Sequence, residues 1–223
     1  MFPDSDHSNR SKWRRLLPHA QYALSHSPAV DDDGGRLQLA SRCAATLSSD
    51  GRYKEAEELQ VQVMQGRKRV LDDEHPSTLS SMASLASTYW NQGRWDDAEK
   101  LEVQVMETFK TKLGADHPDT LTSMANLAHT YMSQGRWNEA EKLQVQVIET
   151  FKTKLGADHP DTLIRMHNLA FTLRSQARYA EALALMEKCF QSRQQVLGEQ
   201  HPDTQSSFDT LNDWRAECSD RNS

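Results

Sequence analysis

A histidine followed by a proline occurs at His75-Pro76, His117-Pro118, His159-Pro160 and His201-Pro202, each pair 42 residues after the one before. Self-similarity at a fixed period of this size marks an array of stacked supersecondary units. No single unit buries its apolar side alone, so each leans on its neighbours. Such an array offers an extended surface rather than a closed catalytic pocket. The period therefore limits both the fold and the kinds of function it serves.

Within the unit 75–116, Leu79, Met82, Leu85, Ala86 and Tyr89 recur at steps of three and four, which predicts a helix over 78–92. Pro76 suits the first helical position, where its missing N–H costs nothing. Ser77 follows it, and Asp119 and Asp161 stand at the equivalent place, near the positive end of the helix dipole. Gly93 is placed for a left-handed C-terminal residue. A second helix is predicted over 95–113, with Ala98, Leu101, Val105, Met106, Phe109 and Leu113 on one face and Lys110 and Lys112 in its last turns.

The same grammar repeats over 117–158 and, more loosely, over 159–200, where Ala177 replaces the turn glycine. Upstream, 33–74 fits without the His-Pro start: Gly51-Arg52-Tyr53 matches Gly93-Arg94-Trp95, and Ala56 matches Ala98. The chain thus divides into 1–32, a capping helix and loop, then the repeats 33–74, 75–116, 117–158 and 159–200, then 201–223, a second capping helix and frayed tail. The first cap is expected within 9–26, broken or bent at Pro18, with a loop over 27–35. The last helix is expected from Thr204 to about Cys218, carrying Phe208, Leu211 and Trp214.

Composition agrees with an array. Hydrophobic residues make up 37% of the chain and mean hydropathy is −0.78, low for a globular domain but tolerable where each helix buries one stripe. A net charge of −6 argues against a general nucleic-acid binder, which needs a basic stripe. The polar, acidic first residues, Met1 to His7, do not read as a signal peptide, and no apolar run approaches the ~18 residues of a membrane span. Three cysteines, Cys43, Cys189 and Cys218, show no local pairing pattern, which reads as a reduced, cytoplasmic chain.

The histidine ladder invites a metal, but equivalent residues in stacked hairpins lie about two interaxial distances of 8–10 Å apart. Zinc bonds are only about 2.0–2.1 Å long, so these histidines cannot converge on one ion and are expected to shape the turn between repeats. No cofactor is expected. No Gly-x-Ser-x-Gly elbow or nucleophile-base arrangement is present, so the chain is read as no enzyme. Cys43 and Cys189 occupy positions held elsewhere by Leu85 and Val105, a core reading; Cys218 is expected to be partly exposed, without the basic surroundings of a reactive thiol. Tyr53, Trp95, Trp137 and Tyr179 share one position just past the turn and read as packing between helices. Trp90 is different, because Ser48, Met132 and Arg174 stand at its position; it reads either as a binding contact or as a rim residue.

The segment Met82-x-x-Leu85-Ala86-x-x-Tyr89-x-x-Gln92-Gly93-Arg94-Trp95-x-x-Ala98 resembles a tetratricopeptide repeat. The longer unit, ending Leu-Gly-Ala-Asp-His-Pro-Asp-Thr-Leu, resembles the repeats of kinesin light chains. The tandem Thr120 to Ala128 with Gln134-Gly135-Arg136-Trp137, and the lead-in Phe2 to Asp6 with Trp13 and Leu17 to Ala20, are similar to the repeats that close fungal NACHT- and NB-ARC-type receptors. The resemblance implies an all-α, right-handed superhelical solenoid of tetratricopeptide hairpins. It does not extend to nucleotide hydrolysis, since no phosphate loop ending in Lys-Ser or Lys-Thr occurs, nor to a motor role, since the long heptad segment is missing.

In that family the outer face of the first helix lines the concave groove. Here the face holds Gln38, Arg42, Ala45 and Ser49; Ser80, Ser84, Ser87 and Asn91; Thr122, Asn126, His129 and Ser133; and Ile164, Asn168, Phe171 and Ser175. Their spacing places each set on one side of a helix. None is acidic, although acids outnumber bases 32 to 26, so a neutral or acidic protein or peptide partner is expected, with no nucleic acid or membrane. The resemblance assigns Asn126 and Asn168 to an extended peptide backbone, since an amide donates and accepts at once. Ser84 and Arg42 hold that position in the earlier repeats. Ser87, Asn91, His129 and Phe171 extend the expected groove, with Trp90, Met132 and Arg174 at its margin. The expected function is non-enzymatic protein binding; self-association as a scaffold, or service as the sensor region of a larger receptor, are the rivals.

Overall fold

The computed structural model describes residues 10–26 and 33–221, in ten helices and without a strand among them. They are α1 Arg10–His26, α2 Asp33–Ser49, α3 Tyr53–Leu71, α4 Pro76–Asn91, α5 Trp95–Leu113, α6 Pro118–Ser133, α7 Trp137–Leu155, α8 Pro160–Ser175, α9 Tyr179–Leu197 and α10 Pro202–Arg221. The all-α expectation holds. The lead-in Phe2 to Asp6, residues 27–32 of the expected loop and the end of the tail lie outside the described residues, as do the side chains of Trp13 and Cys218.

Three boundaries differ from expectation. Of the break or bend expected at Pro18, the break does not occur: α1 continues through the proline. The proline removes one ladder bond, but Leu17 and Ala20 on either side are buried against Cys43, Leu47 and Ala56, and that packing holds the helix together. α2 begins at Asp33, so Gly34 and Gly35 are helical despite their poor propensity. α10 runs on to Arg221, which makes residues 219–221 helix rather than frayed tail.

Two compact units emerge, Met1–Lys112 and Leu113–Ser223. In the first, α1 packs on α2, α2 on α3 and α3 on α4. Leu79 and Met82 of α4 meet Val105 of α5, with Met64, Leu101 and Phe109 closing the cluster. In the second, α6 to α10 pack in chain order, and one core runs from Ile148 of α7 through Leu163, Met166 and Met186 to Leu211 and Trp214 of α10. Cys43 and Cys189 are fully buried, in agreement with the core reading.

The repeated residues explain the repeated geometry. Ala56, Ala98, Ala140 and Ala182, one per second helix, have no exposed surface at all, so that a methyl group sets the closest approach of two helices. Gly51, Gly93 and Gly135 turn the chain at φ of 77°, 75° and 74°, where a side chain is strained. His75, His117, His159 and His201 cap the helices that follow. Each Nδ1 accepts the backbone N–H two residues on, at 3.1, 3.2, 3.2 and 3.2 Å. This acceptor role puts the imidazole proton on Nε2. Thr78, Thr120 and Thr162 then tie each turn back, their hydroxyls donating to the carbonyls of Asp72, Gly114 and Gly156.

A polar clasp joins successive hairpins. Glu57 accepts from Gln92 at 2.9 Å and pairs with Arg94 at 2.8 Å. Two repeats on, Glu141 does the same with Gln176 at 2.9 Å and Arg178 at 2.7 Å. The aromatics just past the turn pack less fully than expected: Trp95 and Tyr179 keep 38% and 36% of their surface exposed.

Candidate functional site

The first helix of each hairpin turns one face to the core and leaves the other uncovered. Ser80, Ser84, Ser87 and Asn91 of α4 are exposed, as are Asn126 and His129 of α6 and Asn168 and Phe171 of α8. Each of the two units encloses a pocket against this face, with a second helix as its floor.

In the first unit the pocket holds about 450 Å³. Ser41, Ala45 and Ser48 of α2 face Ser84 and Ser87 of α4 across it, and Gln60 and Val63 of α3 form the floor. Arg42, Trp90 and Asn91 are not among its lining residues. Asn91 turns its amide to the Ser87 carbonyl at 2.7 Å, and Ser84 donates to the Ser80 carbonyl at 3.0 Å. These are bonds of a helix to itself, so this stretch of groove is small-residued and uncharged.

In the second unit the pocket holds about 420 Å³ and is differently furnished. It brings together five of the residues expected from sequence: Asn126, His129, Met132, Asn168 and Phe171. Gln144 and Val147 of α7 form the floor. Arg165 and His167 also line it, and neither belongs to the stripe read from spacing. Both were detectable as departures from the repeat. Ser81 and Ser123 stand where Arg165 does, and Ala83 and Ala125 where His167 does.

The two imidazoles are neutral at neutral pH. Burial lowers His129 below its ordinary value. Burial and the nearby Arg193 push His167 down to about 4, against a smaller opposing pull from Asp203. Arg193 is itself buried; its Nη1 donates to the Ser207 hydroxyl at 2.7 Å and the Asp203 carbonyl at 3.0 Å, and lies 3.3 Å from His167 Nδ1. Phe171 is wedged between His167 and Trp214, with ring centres 5.2 and 5.1 Å away. Arg174 is engaged elsewhere, paired with Glu217 and 5.0 Å from the centre of the Trp214 ring. No Asp or Glu lines the pocket.

Among the described residues no three His, Cys, Asp or Glu side chains gather as metal ligands, and no helix is long and apolar enough to cross a membrane. The arrangement offers amides, imidazoles, one guanidinium and an aromatic edge along an open face, which suits binding.

Comparison with known proteins places this geometry. The tetratricopeptide repeat profile matches residues 36–111, 85–153 and 119–195. The nearly identical TPR-like repeats of a Podosopora anserina chain named for kinesin light chain share 30% identity, with 86% of this chain and 91% of that one covered and a TM-score of 0.76. A Rap protein complexed with competence and sporulation factor has the same fold at 12% identity, covering 92% of this chain and 60% of that one, with a TM-score of 0.61. A nucleotide-binding leucine-rich repeat (NLR)-like protein of Hyaloscypha variabilis is 41% identical over 83 residues, 37% of this chain but only 8% of that protein's length. With helical hairpins recurring every 42 residues and the profile matched three times along them, the chain belongs to the tetratricopeptide repeat family.

Proposed function

We propose that this chain binds an extended peptide or a partner's segment along the face made by its first helices, and that it does so without catalysis. The family's fold is in general a protein–protein interaction module. The observation that carries the reading is the pocket of the second unit, where Asn126 and Asn168 stand with His129 and Phe171 on the uncovered side of the first helices. Amides suit an alternating peptide backbone, and Phe171 offers an apolar contact. The neighbouring fold of the Rap protein holds a bound factor, which supports a ligand-binding role for the same architecture. With no acid in either pocket lining, the partner is neutral or acidic.

The test is capture from native cytosol by the intact chain beside its Asn126→Ala, Asn168→Ala double variant. Each lost hydrogen bond costs about 0.5–1.5 kcal/mol, so affinity falls about 5- to 150-fold while the melting temperature holds. A double variant that binds normally, while changes at the exposed Glu107 and half-buried Glu99 abolish capture, moves the function to the second helices; Glu102 is buried at the repeat position of Gln60 and Gln144 and does not serve this test.

A second reading rests on the NLR-like relative. Because the matched region is a small part of a long protein, the repeats would serve as the partner-sensing region of such a receptor. Capture of the same partner by the whole receptor and by this chain is the expected result.

A further inference from the structure

Of the ten described helices, the most basic is the first and the most acidic is the last. α1 carries Arg10, Lys12, Arg14 and Arg15 and no acid, whereas α10 carries five acids against two arginines. Each packs chiefly on one neighbour, α1 on α2 and α10 on α9, and keeps a side for solvent.

On α1 that side holds Lys12, Arg15, His19 and Tyr22, all exposed and spaced by three and four residues, so they form one stripe. Tyr22 keeps 65% of its surface exposed, more than any other large apolar side chain among the described residues. Arg14 is tied to Asp50 at 2.6 Å, but no described acid pairs with Arg15.

On α10 a face that the earlier repeat buries is open. Leu163, Met166, Ala170 and Leu173 of α8 are buried in the core that α8 shares with α9. Their counterparts one period on, Gln205, Phe208, Asn212 and Arg215, are exposed. Phe208 is the one apolar side chain of the four; it stays 44% exposed, its ring centre 5.6 Å from that of Phe190. Asp209 and Asp213, one turn apart, extend this face, and no described cation pairs with either. Arg215 is drawn to Glu187 at 2.8 Å, and Glu217 to Arg174. An aromatic ringed by polar and charged groups has the composition of an interface that also stands open to water.

We propose that the outer face of α10 on one copy docks on the outer face of α1 on another, Asp209 and Asp213 meeting Lys12 and Arg15 beside the Phe208 and Tyr22 rings. The helices have 17 and 20 residues, so the two faces match in length at about 26 and 30 Å. They are opposite in charge, and each repels its own kind, which makes the contact one between unlike surfaces. Single-helix faces about 10 Å wide bury well under the roughly 1,200–2,000 Å² of a stable interface, so the contact forms only at high concentration. Salt weakens it, because the screening length falls from about 30 Å at 0.01 M to about 8 Å at 0.15 M. Neither face supplies a residue to either pocket, so the inference does not depend on the groove reading.

The experiment is sedimentation velocity of the full chain over a wide range of concentration at low and physiological salt. The expected result is a mean mass that rises with concentration at low salt and returns toward the monomer as salt is added. Lys12→Glu with Arg15→Glu, and separately Asp209→Lys with Asp213→Lys, should each weaken association at least about tenfold. An equimolar mixture of the two variants should recover it, since each reversed face then meets one of opposite sign. All four positions are exposed, so melting temperatures should hold, and recovery in the mixture separates a lost contact from a lost fold. A chain that stays monomeric at every concentration at low salt overturns the proposal. So does association indifferent to both variants, or a mixture that fails to recover it.

Discussion

Ala177 adopts φ of 61° where the other turns use glycine, and Asp72 sits at φ 87°, ψ 169° where the later repeats use Gly114, Gly156 and Gly198. Asp72 offsets part of its strain by accepting the Glu74 N–H at 2.8 Å; a methyl side chain has no such means. Ala177→Gly is therefore expected to stabilise the chain by about 1 kcal/mol, the cost of holding an L-residue in the left-handed region less glycine's extra entropy. A melting temperature that falls refutes this. The capping histidines make the opposite case. His117→Ala should cost about 0.5–2 kcal/mol, as for other lost caps, and His117→Asn should recover most of it because the amide oxygen can accept the Asp119 N–H. Equal melting of the two variants would show that the histidine acts by bulk alone.

Helices meet where the repeat places its smallest residue. Ala98 and Ala140 have no exposed surface, and a tryptophan at either place must push two helices apart. Ala98→Trp is expected to destabilise by about 1–3 kcal/mol or more, read as a lowered urea midpoint. An unchanged midpoint means that the hairpin registration is wrong. The alternation of elements was readable because its signals are local: apolar steps of three and four, proline at the first turn, glycine at the last. α5 falls over 95–113 as its spacing predicts. One difference arose where distant residues outvote local preference, at Pro18, which stays helical because Leu17 and Ala20 are packed.

Acid acts on the molecule as a whole, in two stages. His167 has its folded-state value pushed down to about 4, so between the ordinary imidazole value of about 6.5 and that point the unfolded chain binds the extra proton. Stability is complete above that window and is lost as pH falls through it; His129, lowered by burial, acts in the same direction. Glu57 and Glu141 follow at lower pH. Burial pushes each carboxyl up, but hydrogen bonds from Gln92 and Arg94, or from Gln176 and Arg178, outweigh it and hold both below the ordinary range. Their contribution is present above about pH 4.3 and disappears as pH falls through the depressed values. Urea midpoints measured from pH 7 to pH 3 should decline in both windows. His167→Ala, which restores the residue of Ala83 and Ala125, should remove part of the first decline only; Glu57→Gln with Glu141→Gln should flatten the second. A His167→Ala profile parallel to the parent's at all pH values refutes the assignment.

The 42-residue period and its His-Pro, Gln-Gly-Arg and alanine landmarks determined by themselves that this chain is a stack of helical hairpins, because periodic burial is written into periodic residues. Spacing also picked out the exposed stripe that holds Asn126, His129, Asn168 and Phe171. Tertiary structure decided which side chains meet along the stripe. A pocket is built by two helices and a floor, and no spacing within one helix says which side chains meet across it. Gln144 comes from α7, Arg165 and His167 from a neighbouring flank of α8, while Arg174, which spacing had put at the groove's margin, is drawn off to Glu217 and Trp214 of α10. A side chain's partner is settled by three-dimensional proximity, and that is fixed only when the hairpins stack.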